Sequence, residues 1–195
     1  MNKQQPRIGG LAAAPLVLGA LAALSLSACA AGPAVPTGPI SHLCKPQEVV
    51  GFSCELADKR VLSLCGSPKF NEFKGAPQDN PGYAYVVVGT LRGQVQFQYP
   101  AQPADYKQHM TFSMSTAGAS PHMWVNTDKG SFLHFSLDIQ EPVDATPENA
   151  PQDWPLGNLK DRTLCARKIN RDHIDSFMSR MIEDPEWVKT RGWSR

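Results

Sequence analysis

The 195-residue chain carries 19 Lys and Arg against 18 Asp and Glu, a formal net charge of +1, so it lacks the basic excess of a protein that binds nucleic acid by neutralising phosphates. Seventeen prolines and fifteen glycines exclude a long helical bundle or coiled coil, because both residues interrupt helices. With 42% hydrophobic and 8% aromatic residues, the composition is that of a globular domain rather than a disordered one.

The first 29 residues have the three parts of an export signal. Lys3 and Arg7 give a basic start, Leu11 to Leu26 an apolar run, and Leu26-Ser27-Ala28-Cys29 the end. The run is broken by Pro15 and Gly19 and is shorter than the ~20 residues of a spanning helix. Its end resembles the lipobox of bacterial lipoproteins. That resemblance implies cleavage before Cys29, acylation of Cys29 and attachment to a membrane through its lipid. Ala30 and Ala31 follow the cysteine in place of an aspartate, which by the same resemblance implies an outer-membrane destination facing the periplasm. Loss of residues 1–28 removes Lys3 and Arg7, leaving 17 basic against 18 acidic residues and a net charge of −1. Residues 29–41, rich in Pro, Gly and Ala, read as a flexible tether.

Four further cysteines, Cys44, Cys54, Cys65 and Cys165, suit two disulfides in an oxidising compartment. The chain has no Cys-x-x-Cys and no cysteine–histidine pair at zinc-ligand spacing, which disfavours zinc and redox chemistry. Cys54 and Cys65 flank the turn Ala57-Asp58-Lys59-Arg60 and would pair across a hairpin, leaving Cys44 for Cys165. Pairing Cys44 with Cys54 is the other reading of the same segment.

Residues 42–168 read as a β-domain. Val49–Leu56 and Val61–Cys65 form the first hairpin, and Tyr83–Gly89 with Gln94–Tyr99 the second, around Thr90-Leu-Arg-Gly93. His109–Ser115 alternates Met110, Phe112 and Met114 with polar residues. His122–Thr127 and Ser131–Asp138 surround the turn Asn126-Thr-Asp-Lys-Gly130. In the second arm Leu133, Phe135 and Leu137 alternate with Phe132, His134 and Ser136. A last short strand carries Leu164-Cys165-Ala166. The fold class is therefore mainly β, an antiparallel sandwich or small barrel, with one C-terminal amphipathic helix.

That helix falls in residues 169–195. Ile174, Phe177, Met178, Met181 and Ile182 recur at three and four residues and form an apolar stripe, with Asp172 as its cap and Pro185 after its end. Trp154, in a proline-rich loop over 139–160, reads first as a cap on the core. With Trp187 and Trp193 in the polar tail it is also a candidate partner contact.

Residues 44–100 resemble small exported proteobacterial proteins of unassigned function. The likeness rests on Val50-Gly-Phe-Ser-Cys54, on Lys59-Arg-Val-Leu-Ser-Leu-Cys65-Gly-Ser67, on Gly82-Tyr83 and on Tyr99-Pro100. It implies a β-rich, disulfide-bonded domain closed by a late cysteine, and no activity.

Sequence motifs for catalysis are missing. There is no Gly-x-Ser-x-Gly and no phosphate-binding glycine loop, and His109, His122, His134 and His173 lack mutual ligand spacing. His109-Met110 and His122-Met123, with Met114, suggest a soft-metal site, but methionines alternating with polar residues fit a core face, so neither metal nor cofactor is expected. The expected function is that of a non-catalytic, lipid-anchored envelope protein presenting a β-domain to a protein or cell-wall partner. The alternatives are an envelope hydrolase with a site assembled from distant loops, or an inhibitor of lysozyme-type enzymes. For the inhibitor, Pro81-Gly82-Tyr83-Ala84-Tyr85 is a loose echo of a Ser-Gly-x-x-Tyr loop.

Overall fold

A computed structural model describes residues 41–114, 120–136, 142–143, 147–156 and 164–190. Cys29, Trp193 and the tether up to residue 40 lie outside the described residues. In chain order the regular elements are β1 (Val49–Leu56), β2 (Arg60–Gly66), β3 (Ala84–Thr90), β4 (Val95–Tyr99), α1 (Tyr106–His109), β5 (Met110–Met114), β6 (Pro121–Thr127) and β7 (Gly130–Ser136). They continue with β8 (Pro142–Val143), β9 (Cys165–Asn170), α2 (Ile174–Met178), β10 (Ile182–Glu183) and α3 (Pro185–Thr190). The strands make two five-stranded sheets, ordered β4-β3-β2-β1-β9 and β10-β5-β6-β7-β8. All pairs are antiparallel except β10 with β5. The fold is a β-sandwich, the first of the two architectures expected.

Side-chain alternation builds its core. In the first sheet Phe52, Cys54 and Leu56 of β1, Leu62 and Leu64 of β2, and Val86 and Val88 of β3 face inward. In the second, Met110, Met123, Val125, Leu133 and Phe135 meet them, with Phe52 and Phe135 edge to face at 5.3 Å. Phe132, expected on the opposite side from Leu133, is also fully buried in this core. The register shows why: Val125 pairs with Leu133 and Asn126 with Ser131, so Phe132 is the extra residue of a β-bulge. Trp154 packs edge to face on both Phe97 and Phe132, each at 5.0 Å. At 7% exposure it caps the core, which withdraws it as a partner contact.

The disulfides join Cys44 to Cys65 and Cys54 to Cys165, which corrects both pairings read from the sequence. In the β1–β2 hairpin Cys54 stands opposite Leu62, and Cys65 opposite Val50. Cys54 belongs to the inward row and Cys65 to the outward one, so they lie on opposite faces of the sheet and cannot bond. Cys54 reaches Cys165 on the neighbouring β9, while Cys65 takes Cys44 from the segment that crosses the outer face.

The C-terminal apolar stripe packs inward as expected, but only Ile174–Met178 of it is helical. Ile174, Phe177, Met178 and Met181 are all buried in the main core. Gly51, the bulge residue of β1, and Gly66 of β2 leave space for the Phe177 ring. A Cβ at either position would come within 2.6–2.7 Å of it. Phe177 stacks on Phe70 at 4.6 Å. The helix stops at Met178, where the Ser176 and Ser179 hydroxyls donate to the carbonyls of His173 and Ser176, a local competitor of helix propagation. Ile182 then pairs in parallel with Thr111, and Asp184 N–H donates to Phe112 O at 2.7 Å. This satisfies backbone groups at the edge of β5. Asp172 makes no side-chain cap on α2. Asp184 Oδ1 instead accepts from Glu186 N–H at 2.8 Å, and Pro185 opens α3. Asp-Pro here is a helix start, with proline favoured at the first helical position. The boundary expected at 168/169 falls within β9, and the segment beyond it is part of the sandwich.

Candidate functional site

The site begins with how residues 41–48 are held on the outer face of the first sheet. Ser53 Oγ donates to Ser41 O at 2.6 Å, Leu43 N–H donates to Ser63 Oγ at 3.0 Å, and the two serine hydroxyls lie 3.1 Å apart. Two buried serines on adjacent strands thus dock the incoming chain, and Cys44–Cys65 locks it. Glu48 follows. Its carboxylate accepts from Tyr83 Oη at 2.9 Å, Tyr85 Oη at 2.7 Å and Lys45 N–H at 2.7 Å, with only 2% of the side chain exposed. These bonds satisfy a buried carboxylate. They also hold both phenols protonated, burial and the Glu48 charge together raising them above the usual tyrosine range.

Two adjoining clefts open beside this anchor, with Lys69 and Glu72 lining both. The first, of about 510 Å³, is walled mainly by Pro68, Phe73, Pro81 and Tyr83. Asn80 lies at its edge and is 2% exposed. Gly82 N–H donates to Asn80 Oδ1 at 2.9 Å, but Asn80 Nδ2 has no hydrogen-bond partner among the described residues. A Cβ at Gly82 would meet Ser67 Oγ at 2.4 Å and Asn80 Oδ1 at 3.0 Å, so glycine is required for this close turn. The second cleft, of about 660 Å³, is more polar, with Glu48, Asn71, Asn170 and two histidines, His42 and His173, in its lining. His42 Nδ1 and Asn71 Oδ1 are buried without a partner among the described residues. Lys69, between the two clefts, has φ of 63°, a left-handed conformation that costs a non-glycine residue roughly 1–2 kcal/mol. Strain of this kind persists where the surrounding structure imposes it and is concentrated at functional positions.

The outer face of the second sheet carries a separate polar cluster. His122 stands opposite both Ser113 and Ser136, and Trp124 opposite His134. His122 Nδ1 and His134 Nε2 share a hydrogen bond of 2.6 Å, Trp124 stacks on His134 at 4.0 Å, and Trp124 Nε1–H donates to Ser113 Oγ at 2.9 Å. Burial, reinforced by the neighbouring His122, pushes the His134 imidazole down to about 4. This packing separates the histidines from the methionines suggested as co-ligands. Met110 and Met123 are fully buried in the core, on the opposite face from His122. His109 instead bonds Tyr99 Oη at 2.9 Å. A third grouping brings Cys44, Glu48 and Cys65 together, but its two sulfurs are bonded to each other and offer no thiolates to a metal.

Of the residues singled out from sequence, the four domain cysteines are placed as structural bonds and Trp154 as core. Trp187 falls in α3. The clefts around Lys69 were not expected. Pro68, Phe73, Asn80 and His42 belong to no sequence motif, and Pro81-Gly82-Tyr83 stands out only as a loose echo of an inhibitor loop. No family model matches the chain, and neither a curated protein nor a solved structure matches it.

Proposed function

We propose that the protein is a lipid-anchored protein of a bacterial cell envelope that binds a protein or cell-wall partner through the paired clefts around Lys69. The observation that carries this reading is the combination of an aromatic and proline wall at Phe73, Tyr83, Pro68 and Pro81 with an adjoining polar floor. Binding sites of this kind use apolar walls for affinity and a few placed polar groups for orientation. The two buried disulfides suit an oxidising compartment. Cys29 would carry the lipid, and residues 29–41 would give the domain reach from the membrane. The anchored end then joins the domain at Ser41, one residue from His42 at the rim of the polar cleft.

The test is site-specific photo-crosslinking of the full chain in cells. A crosslinking residue at Phe73 should give a discrete envelope adduct. The same residue at Val95, 52% exposed on β4, should give none. Equal or absent adducts at the two positions would overturn the binding reading. A Cys29→Ser variant should leave the membrane fraction, and its retention there would overturn the anchor.

A further inference from the structure

We infer that the outer face of the second sheet is an acid-operated switch, in which His122 and His134 hold each other and the Trp124 indole in place until both imidazoles are protonated. The switch is independent of the cleft reading above. Alternation puts the three rings on one face, with Trp124 opposite His134 and His122 opposite Ser136. The two histidines are thus diagonal neighbours on β6 and β7, and His122 Nδ1 lies 2.6 Å from His134 Nε2. A neutral imidazole has one N–H donor and one bare acceptor nitrogen, whereas an imidazolium has two donors and no acceptor. The bond therefore exists only while at least one ring is neutral. Two imidazoliums would point N–H at N–H.

The surroundings leave a second positive charge uncompensated. His134 is 9% exposed and stacks on His122 at 4.8 Å and on Trp124 at 4.0 Å. Around the cluster β5 contributes Thr111 and Ser113, and β8 contributes Val143 opposite His134, none of them titratable in this range. The other elements packed on β6 and β7 bring His109 of α1, Asp175 of α2 and Glu148 of the turn Pro147–Asn149. His109 bonds Tyr99, and Asp184, beyond β5, accepts from Thr111 Oγ1 at 3.5 Å. The charges of the β6–β7 hairpin itself, Asp128 and Lys129, sit in its turn. His134 bonds none of these groups; its one hydrogen bond is to His122. Burial and the neighbouring His122 push its imidazole down to about 4, so the second proton enters only in acid. Two like charges at this spacing, in a site with little water, repel strongly. His134 then leaves the stack, and the half-buried Trp124 indole loses its cover. Leu133 and Phe135, which flank His134 and face the core, stay in place. The switch therefore acts on the side chains of the outer face and leaves the sandwich closed.

The experiment follows the tryptophan indole N–H resonances of the full chain in detergent, labelled with 15N, from pH 7.5 to 4. Trp124 Nε1–H donates to Ser113 Oγ, so its resonance reports any movement of the ring; its loss in Trp124→Phe identifies it. The expected result is a one-proton shift of this resonance while that of Trp154, in the core, stays fixed. His134→Gln offers His122 a donor and an acceptor that do not titrate, and it should abolish the shift. His122→Gln removes the neighbouring charge and leaves His134 to titrate, so the midpoint should move to higher pH; this variant serves if the first fails to fold. A Trp124 resonance that does not move with pH, or that moves identically in the parent and the Gln variants, would overturn the inference. So would joint movement of all four indole resonances, because acid would then be unfolding the whole domain.

Discussion

The two sheets enclose one core but cover their outer faces differently. On the outer face of the first sheet, Ser53, Ser63, Cys65, Tyr85 and Val87 are each at most 2% exposed. The segment from Ser41 to Glu48 crosses this face, fixed by serine hydroxyls, a disulfide and two tyrosine–glutamate bonds. Both disulfides engage this sheet, one on each side. On the second sheet the outer face carries a polar row in which His122 bonds His134, Trp124 bonds Ser113, and Trp124 stacks on His134. The first arrangement spends covalent bonds and creates the edges where clefts open. Among the described residues the second is held by side-chain hydrogen bonds and ring stacking without a disulfide, and because two of its members are histidines its stability depends on protonation.

The comparison is most severely tested by removing Cys54–Cys165. Its sulfurs close a loop with a sequence separation of 111, and such a loop contributes about 5 kcal/mol in the chain-entropy account. The Cys54→Ala, Cys165→Ala double variant should lose stability of that order in urea melts. A loss below about 1 kcal/mol would mean that packing, not the bond, holds β9 on β1. Phe177→Ala comes next. The ring fills space left by Gly51 and Gly66, and removing a fully buried phenylalanine costs about 4 kcal/mol. A small loss would show that Phe70 and its neighbours close over the gap.

Removing Cys44–Cys65, separated by 21 residues, should cost about 3 kcal/mol and should also weaken any ligand of the clefts, because Glu48 and His42 are positioned by the same segment. Stability lost without a change in binding would separate the anchor from the site. The fourth prediction concerns the second sheet. Unfolded, His134 takes up a proton below about 6.5; folded, it does so only near 4. Its contribution is therefore complete above pH 6.5 and declines as pH falls toward 4, by roughly 2–3 kcal/mol in all. Urea melts from pH 7.5 down to 4.5 should show this decline, and His134→Gln should flatten it. An unchanged slope in the variant would assign the pH dependence elsewhere. The smallest effect is expected at Val95, where Val95→Thr on the exposed edge should stay within about 0.5 kcal/mol.

The strands were largely legible in the sequence because alternation and glycine-containing turns are local. Val49–Leu56 and Tyr83–Gly89 could be read from a few neighbours at a time. The same locality misled at the C-terminus. Five apolar residues at helical spacing announced burial correctly, yet the conformation was settled by the unpaired edge of β5 and by serine hydroxyls competing along the backbone. Asp184-Pro185 likewise reads as an end or a start according to what precedes it in space.

What the sequence determined by itself was the alternating pattern, the burial of the C-terminal stripe and the pairing of four cysteines into two bonds, since composition and short periodicity suffice for each. Tertiary structure alone decided which cysteines meet, because a bulge at Gly51 and the register of one hairpin place Cys54 and Cys65 on opposite faces. It alone assembled the clefts, whose walls come from residues 41–42, 48–50, 67–73, 80–83, 170, 173 and 176. No short-range pattern links such distant positions; only the pairing of strands in the first sheet and the docking of α2 against β1 bring them together.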